Sequence, residues 1–141
     1  MDKVEFLILR NLLYNEEYVR KVLPFIKGEY FEDYNQKVVF EEIAKFVVEY
    51  NEPATKEVLC IETEKRQDIN DTSFQEITQL ISGLEDEPSE FNWLVNTTEK
   101  WCRDRAIYLA LMESIQLADG KDETQDRDAI PSILSNALAV S

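Results

Sequence analysis

The chain has 141 residues, of which 44% are hydrophobic, so it is long and apolar enough to form one domain with a sizeable core. Its 29 acidic residues outnumber its 15 lysines and arginines, and the net charge of -14 is spread along the chain without an acidic tail. Because such a surface repels phosphate, direct binding of nucleic acid is disfavoured and a basic protein partner is favoured.

The N-terminal segment and the cysteines bear on the compartment in which the chain acts. Charged residues interrupt the apolar residues of positions 1–13 without a small-residue cleavage site, so we predict no signal peptide and a cytoplasmic protein. Cys60 and Cys102 lie far apart and lack CxxC spacing. We therefore expect two reduced cysteines that serve as small apolar residues rather than as a disulfide or a metal site.

Apolar residues recur at helical spacing through the first 86 residues, which predicts a globular head of about five helices. The predicted helices are Lys3–Tyr14, a short helix capped by Asn15, a central core helix over residues 34–50 capped by Asp33, one capped by Thr55, and one capped by Thr72 or Ser73. The acidic stretch of residues 85–88 is expected to separate this head from the rest of the chain.

A long helix is predicted over residues 89–118. Its positions from Thr97 onward alternate in steps of four and three, typical of a helix that packs along another helix: Thr97, Trp101, Asp104, Tyr108, Leu111, Ile115 and Ala118. The second half is apolar on two sides, with Tyr108, Leu111, Met112 and Ile115 on one and Ala106, Leu109, Ala110 and Leu117 on the other. This run is too short to span a bilayer, which needs about 20 apolar residues, so we expect it to be buried between subunits.

A second arm follows the polar connection of residues 120–127 and carries an apolar stripe over residues 130–140. Pro131 is compatible with a helix only in its first turn, and a connection of this length lets the arm fold back on the long helix. The predicted fold is therefore all-α, with a globular helical head over residues 1–86 and a helical hairpin for oligomerisation over residues 87–141.

The residues of known catalytic and cofactor sites are scarce in this chain. It has no histidine and its three glycines are isolated, so the commonest general base, the commonest metal ligand and a phosphate-cradling loop are missing. A calcium loop centred on Gly120 would put Ile115 and Leu117 where oxygen ligands are required. Because no pair of carboxylates is singled out, we interpret the many acidic residues as solvated faces and predict no catalytic residue, no cofactor and no metal site.

The two tryptophans of the long helix, Trp93 and Trp101, lie eight residues apart and are predicted to share one face as packing anchors. A platform for stacking nucleic-acid bases would need basic neighbours. The basic cluster formed by Lys100, Arg103 and Arg105 is flanked by acidic residues, so packing is the favoured interpretation.

Short motifs along the chain carry a resemblance to a known family. They are LPF at 23–25, EYFE at 29–32, WLV at 93–95, TEK at 98–100, RA at 105–106, AIP at 129–131, AL at 137–138, and Ser141. In order and spacing they resemble the N-terminal domain of the replicative DNA helicases of T-even-type phages, which are relatives of bacterial DnaB. The likeness runs the full length of the chain.

This resemblance implies hairpins that pair between subunits, so that six chains form a collar, a trimer of dimers, above a motor ring. The collar of such helicases supports hexamer assembly and engages primase or a helicase loader. A RecA-like domain of the parent protein would bind ATP and Mg²⁺ and move 5′ to 3′ on single-stranded DNA, in the cytoplasm of the infected host cell. We expect this sequence to end before that motor half.

Together these observations predict the collar domain of a phage replicative helicase, a homo-oligomer without a catalytic site of its own. The expected subunit contacts are Tyr108, Leu111, Met112 and Ile115 on the long arm, with Ile133, Leu134 and Leu138 on the short arm. Two alternatives stay open. A stop codon after Ser141 would favour a self-contained helical adaptor of unrelated ancestry, and metal-dependent turnover would favour a carboxylate-based hydrolase.

Overall fold

The computed structural model describes residues 3–140, and all regular secondary structure in this range is helical, with no β-strand, which confirms the all-α prediction. Its α-helices are α1 (Lys3–Tyr14), α2 (Glu16–Val22), α3 (Tyr34–Tyr50), α4 (Lys56–Glu64), α5 (Asp71–Ser82), α6 (Phe91–Ala118) and α7 (Ile130–Leu138). Short 3₁₀ helices occur at Leu23–Phe25, Gly28–Tyr30 and Arg127–Ala129. Of the motif residues named above, Ser141 lies outside the described residues.

Side-chain caps begin three of these helices at the predicted positions. The side chains of Asn15, Asp33 and Thr55 each accept a hydrogen bond from the backbone amide three residues later, at 3.0, 3.0 and 3.2 Å. Each bond satisfies one of the amides that the first turn of a helix leaves without an intrahelical partner. Local chemistry therefore fixes where α2, α3 and α4 begin.

The predicted cap of α5 is wrong by two or three residues. The side chain of Asn70, rather than Thr72 or Ser73, is the cap, because it accepts a hydrogen bond from the amide of Ser73 at 2.8 Å. Asparagine caps a helix at least as well as serine or threonine. The helix accordingly begins at Asp71.

The core of the head forms where α3 packs against α1, α4 and α5. Its fully buried side chains include Ile8, Leu12, Val38, Ile43, Leu59, Ile77 and Ile81. Burying each of these side chains contributes about 1.5–3 kcal/mol before the entropy of ordering it is subtracted. The position of α3 at the centre of the head agrees with the prediction of a central core helix over residues 34–50.

A segment without regular secondary structure, residues 84–90, connects the head to the long helix α6, which packs back onto the head. Its first half contacts α1 and α2, and Leu94, Trp101 and Cys102 belong to the same apolar cluster as the core of the head. The predicted boundary between residues 86 and 87 falls in this connecting segment. A division into two domains there stays a prediction.

The hairpin is formed by α6 and α7, which lie side by side. Gly120 ends α6 with φ at +72°, and the amide of Lys121 donates to the carbonyl of Gln116 at 2.9 Å. At the far end of the hairpin, Arg103 Nε donates to the carbonyl of Val140 at 3.0 Å, so α7 runs antiparallel to α6. None of the described helices is both long and apolar enough to cross a lipid bilayer.

Candidate oligomer interface

The side of α6 that faces the head is held there by a buried pair of hydroxyl groups. The oxygens of Tyr18 and Thr98 are 2.6 Å apart, and Thr98 Oγ1 also donates to the carbonyl of Leu94 at 2.7 Å. Because the proton of Thr98 is used in that second bond, Tyr18 is the donor in the first. Burial raises the pKa of Tyr18 far above its usual value, since a phenolate would lose its solvation there. The hydroxyl of Tyr18 is therefore a permanent donor.

Trp101 packs in the same contact. Its indole Nε1 donates to Glu5 Oε1 at 3.2 Å, and its ring lies 4.9 Å from the ring of Phe31 and 6.1 Å, edge-on, from that of Tyr30. Such aromatic pairs add to the free energy gained by burial alone. Trp101 thus anchors α6 to the residues that precede α3.

The two cysteines form no disulfide in this structure. Cys102 is fully buried beside Trp101, and burial, together with the nearby carboxylate of Glu99, raises the pKa of its thiol to about 12. A thiol of this kind stays protonated and unreactive at neutral pH. Cys60 is half-buried on α4.

The second side of α6 is covered by α7. The α6 residues buried along the hairpin include Ala106, Ala110, Ser114 and Leu117. On α7, Ile133 and Leu134 are half-buried against the core of this chain, whereas Leu138 is 65% exposed. Of the short-arm residues predicted to contact another subunit, only Leu138 therefore presents most of its surface to solvent.

A third side of α6 is left uncovered by residues 3–140. It carries four large apolar side chains that are each between 42% and 53% exposed: Tyr108, Leu111, Met112 and Ile115. The guanidinium of Arg105 lies over the ring of Tyr108, 5.0 Å from its centre, and its Nε donates to the carbonyl of Tyr30 at 2.6 Å. A cluster of exposed apolar side chains marks an interaction site, and these four are the long-arm residues predicted to contact another subunit.

Trp93 lies on this uncovered side, in line with Leu111. Eighteen residues separate them, which is five turns of helix, so both side chains leave the axis in the same direction about 27 Å apart. Trp93 is 51% exposed, whereas Trp101 is buried on the head. The two tryptophans therefore differ in environment, and only Trp101 packs inside this chain. This corrects the prediction that both are packing anchors on one side.

A charged pair occupies the same side between Trp93 and Leu111. Lys100 Nζ lies 2.9 Å from Asp104 Oδ2, one turn further along the helix, and both side chains are exposed. Exposed pairs at this spacing stabilise a helix by about 0.2–0.5 kcal/mol. The pair is therefore of little consequence for folding.

The densest cluster of charges lies on the head, where Arg66 contacts Glu41 at 3.1 Å, Glu42 at 2.7 Å and Asp68 at 2.6 Å. The Arg66 guanidinium, helped by the hydroxyl of Tyr34, holds the pKa of Asp68 well below its usual range. Arg66 thus contacts all three carboxylates, and these contacts join the loop before α5 to α3. Within residues 3–140 no three cysteine or carboxylate side chains are arranged to hold a metal ion.

No protein-family model matches the chain. The chain is, however, 31% identical over 143 residues to the DnaB-like replicative helicase of Enterobacteria phage T4. The match covers 96% of this chain but 30% of that helicase, so the chain spans less than a third of the length of the protein it resembles. The resemblance to the N-terminal domain of the T-even-type phage helicases, indicated by the sequence motifs, is thereby confirmed.

Proposed function

We propose that this chain, which resembles a DnaB-like replicative helicase along nearly its whole length, acts as the N-terminal assembly domain of such a helicase. In this proposal it joins subunits through α6 and supports a hexamer built from dimers. ATP, Mg²⁺ and single-stranded DNA would be bound by the motor part of the longer protein, during replication of phage DNA inside the host cell.

The observation that carries this proposal is the uncovered side of α6. Tyr108, Leu111, Met112 and Ile115 all lie in the half of α6 that extends along α7, and each leaves roughly half of its surface exposed. If the exposed half of Leu111 became buried, about 1 kcal/mol of favourable transfer free energy would be gained. A helix that stays apolar on its solvent side is expected to have a partner there.

The charge of the chain supports a second part of the proposal, which concerns other replication proteins. A net charge of -14 makes most of the surface attractive to basic proteins and repulsive to DNA. We propose that primase or a helicase loader meets this domain through a basic surface. Such an interaction should weaken as the salt concentration rises, because screening acts on exposed charges.

The substitution Leu111→Asp tests the assembly role. A carboxylate placed in the centre of the uncovered side would have to be buried without a partner in the assembly, whereas it stays solvated in the single chain. We expect sedimentation velocity to show a loss of oligomers and circular dichroism to show an unchanged helical content.

Ile61→Asp is a matched control, because Ile61 is 50% exposed on α4, outside the proposed contact. This variant should keep the oligomeric state of the unmodified chain. An oligomer mass unaffected by Leu111→Asp would argue against the proposed function, as would dissociation by both variants equally.

A further inference from the structure

We propose that a groove on the head, between α2 and the end of α3, binds a short basic segment of a partner protein that carries a large apolar side chain. The apolar side chain fills the groove, and a lysine or arginine beside it pairs with Glu52. This inference rests on the part of the proposed function that gives this domain a basic protein partner. It adds the place of the contact and the chemistry of the segment, and it does not depend on contact through α6.

The groove is an apolar cavity of about 480 Å³ on the surface of the head. Its apolar wall is formed by Val19, Leu23, Pro24, Val47, Val48 and Pro53. The volume lies in the range of roughly 300–1,000 Å³ that is typical of binding pockets in proteins. The groove is open to solvent at Val48, whose side chain is 80% exposed. It therefore suits a side chain that arrives on another protein better than an enclosed small molecule.

The sequence makes this wall apolar without leaving a backbone donor unsatisfied. On α2, Tyr18 bonds to α6, whereas Val19 and Leu23, one turn apart, line the groove. Pro24 follows α2 and Pro53 follows α3, and neither has a backbone N–H that needs a hydrogen-bond partner. No residue of α6 or α7 belongs to the lining. Occupation of the groove therefore does not use the uncovered side of α6.

Asn51 forms the polar edge of the groove. It is the only non-glycine residue within 3–140 with a positive φ, +52°, and its backbone amide donates to the carbonyl of Val47 at 2.8 Å. Asparagine adopts this left-handed conformation more readily than most residues. Arg20 Nη1 lies 3.5 Å from Asn51 Oδ1, across the groove. The side-chain Nδ2 of Asn51 has no hydrogen-bond partner within residues 3–140, so it can donate to a carbonyl of a bound peptide.

The charges along the groove favour a basic occupant. Glu16 and Arg20 both line it and pair with each other, with 2.7 Å between charged atoms, so their charges cancel. Glu52, the remaining charged residue of the lining, is exposed and forms no ion pair within residues 3–140. In a chain whose net charge is -14, this carboxylate attracts a lysine or arginine and repels an acidic segment. The same charge disfavours a second copy of this chain as the occupant.

Peptide binding tests the proposed chemistry. The probe is a fluorescently labelled, amidated peptide in which two leucines are flanked by lysines, and fluorescence anisotropy supplies its dissociation constant. A peptide with alanines in place of the leucines should bind roughly tenfold more weakly, because the burial of a large apolar side chain is lost. A peptide with glutamates in place of the lysines should not bind, because the chain repels it.

NMR spectroscopy locates the bound peptide on the chain. The titration uses the Leu111→Asp variant, in which assembly should not broaden the signals, and the leucine peptide as the ligand. We expect the largest shifts at the backbone amides of Val19, Val48, Asn51 and Glu52, which surround the groove. Shifts spread over the acidic surface would indicate attraction without a defined site.

Two exposed residues of the groove allow variants that should keep the fold. Val48→Ser removes an apolar part of the wall and should raise the dissociation constant of the leucine peptide roughly fivefold. Glu52→Lys places a like charge beside the lysines of the peptide and should also raise it roughly fivefold. Thermal denaturation confirms that each variant is folded.

Matched controls are Ile61→Ser and Glu64→Lys on α4, where both residues are exposed outside the groove. They make the same kinds of change in polarity and net charge as the two groove variants. They should leave the dissociation constant nearly unchanged, because the peptide does not contact them. The comparison thus separates binding in the groove from a general attraction to an acidic chain.

The outcomes separate this inference from the proposed function. If the lysine peptides bind but Glu52→Lys and Glu64→Lys weaken them equally, the groove is overturned and the basic partner stands. If neither lysine peptide binds, the groove and the basic partner both fail, whereas the assembly role is tested separately by Leu111→Asp. Preference for leucine over alanine, lost in Val48→Ser and unchanged in the controls, would support the inference.

Discussion

The bond between Tyr18 and Thr98 gives a sharp test of how the long helix is held on the head. In Tyr18→Phe the ring keeps its packing, while Thr98 Oγ1 loses a donor that lies 2.6 Å away. Thr98 still donates to Leu94, so one hydrogen bond is lost and no buried donor is orphaned. We expect the free energy of unfolding to fall by about 1 kcal/mol, which lowers the Tm of a chain of this size by roughly 3 °C.

Thr98→Val, which preserves the shape of the side chain, should cost more. It removes the acceptor of the Tyr18 hydroxyl, which belongs to a fully buried side chain and has no other hydrogen-bond partner within residues 3–140. An unsatisfied buried donor costs about 1–3 kcal/mol. The double variant removes both groups together, so its cost should be smaller than the sum of the two single costs by about 1 kcal/mol.

The assay is urea denaturation of the four proteins in a Leu111→Asp background, so that dissociation of oligomers does not contribute to the measured stability. Equal slopes of the free energy against urea would show that the variants unfold from the same compact state. If the costs of Tyr18→Phe and Thr98→Val simply add, the two hydroxyl groups are not bonded and the account of this contact is wrong.

Two further predictions concern the head and the hairpin turn. Arg66→Ala should destabilise the chain by about 1–3 kcal/mol, because Glu42 is buried and loses its guanidinium partner. Since the folded-state pKa of Asp68 is lowered, its stabilising contribution is complete above the unfolded pKa of about 3.9 and is lost progressively as the pH falls from there toward the folded-state pKa. The difference in the free energy of unfolding between the unmodified chain and Arg66→Ala, measured by urea denaturation, should therefore become smaller on acidification. A difference that does not change with pH would contradict this. Gly120→Ala should cost about 1 kcal/mol because of the positive φ, whereas Gly83→Ala, with φ at -79°, should be tolerated. Equal thermal shifts in these two variants would contradict the assignment of the turn.

The parts of the fold that depend on local chemistry were predictable from the sequence. Asn15, Asp33 and Thr55 are capping residues directly before apolar residues at helical spacing, and each caps a helix in the structure. The start of α5 was less predictable, because Asn70 competes with Thr72 for the same role within three residues. Several polar side chains in succession leave the choice of cap to the surrounding structure.

Tertiary packing decides what periodicity alone leaves open. The sequence predicts the two apolar sides of α6, but it does not predict which side of the helix faces the head. Trp93 was therefore predicted to share a face with Trp101. The structure shows that the side with small residues, such as Ala106 and Ala110, receives α7. The bulky side, with Leu111 and Ile115, stays about half exposed in the described part of the chain.

The central claim is that the uncovered side of α6 joins copies of this chain. Native mass spectrometry of the unmodified chain across a concentration series tests it most directly, because it reports the oligomeric state without assuming a relative. The account predicts dimers that appear at low concentration and build toward hexamers as the concentration rises. A strict monomer at every concentration would contradict the claim that this side alone suffices to join subunits.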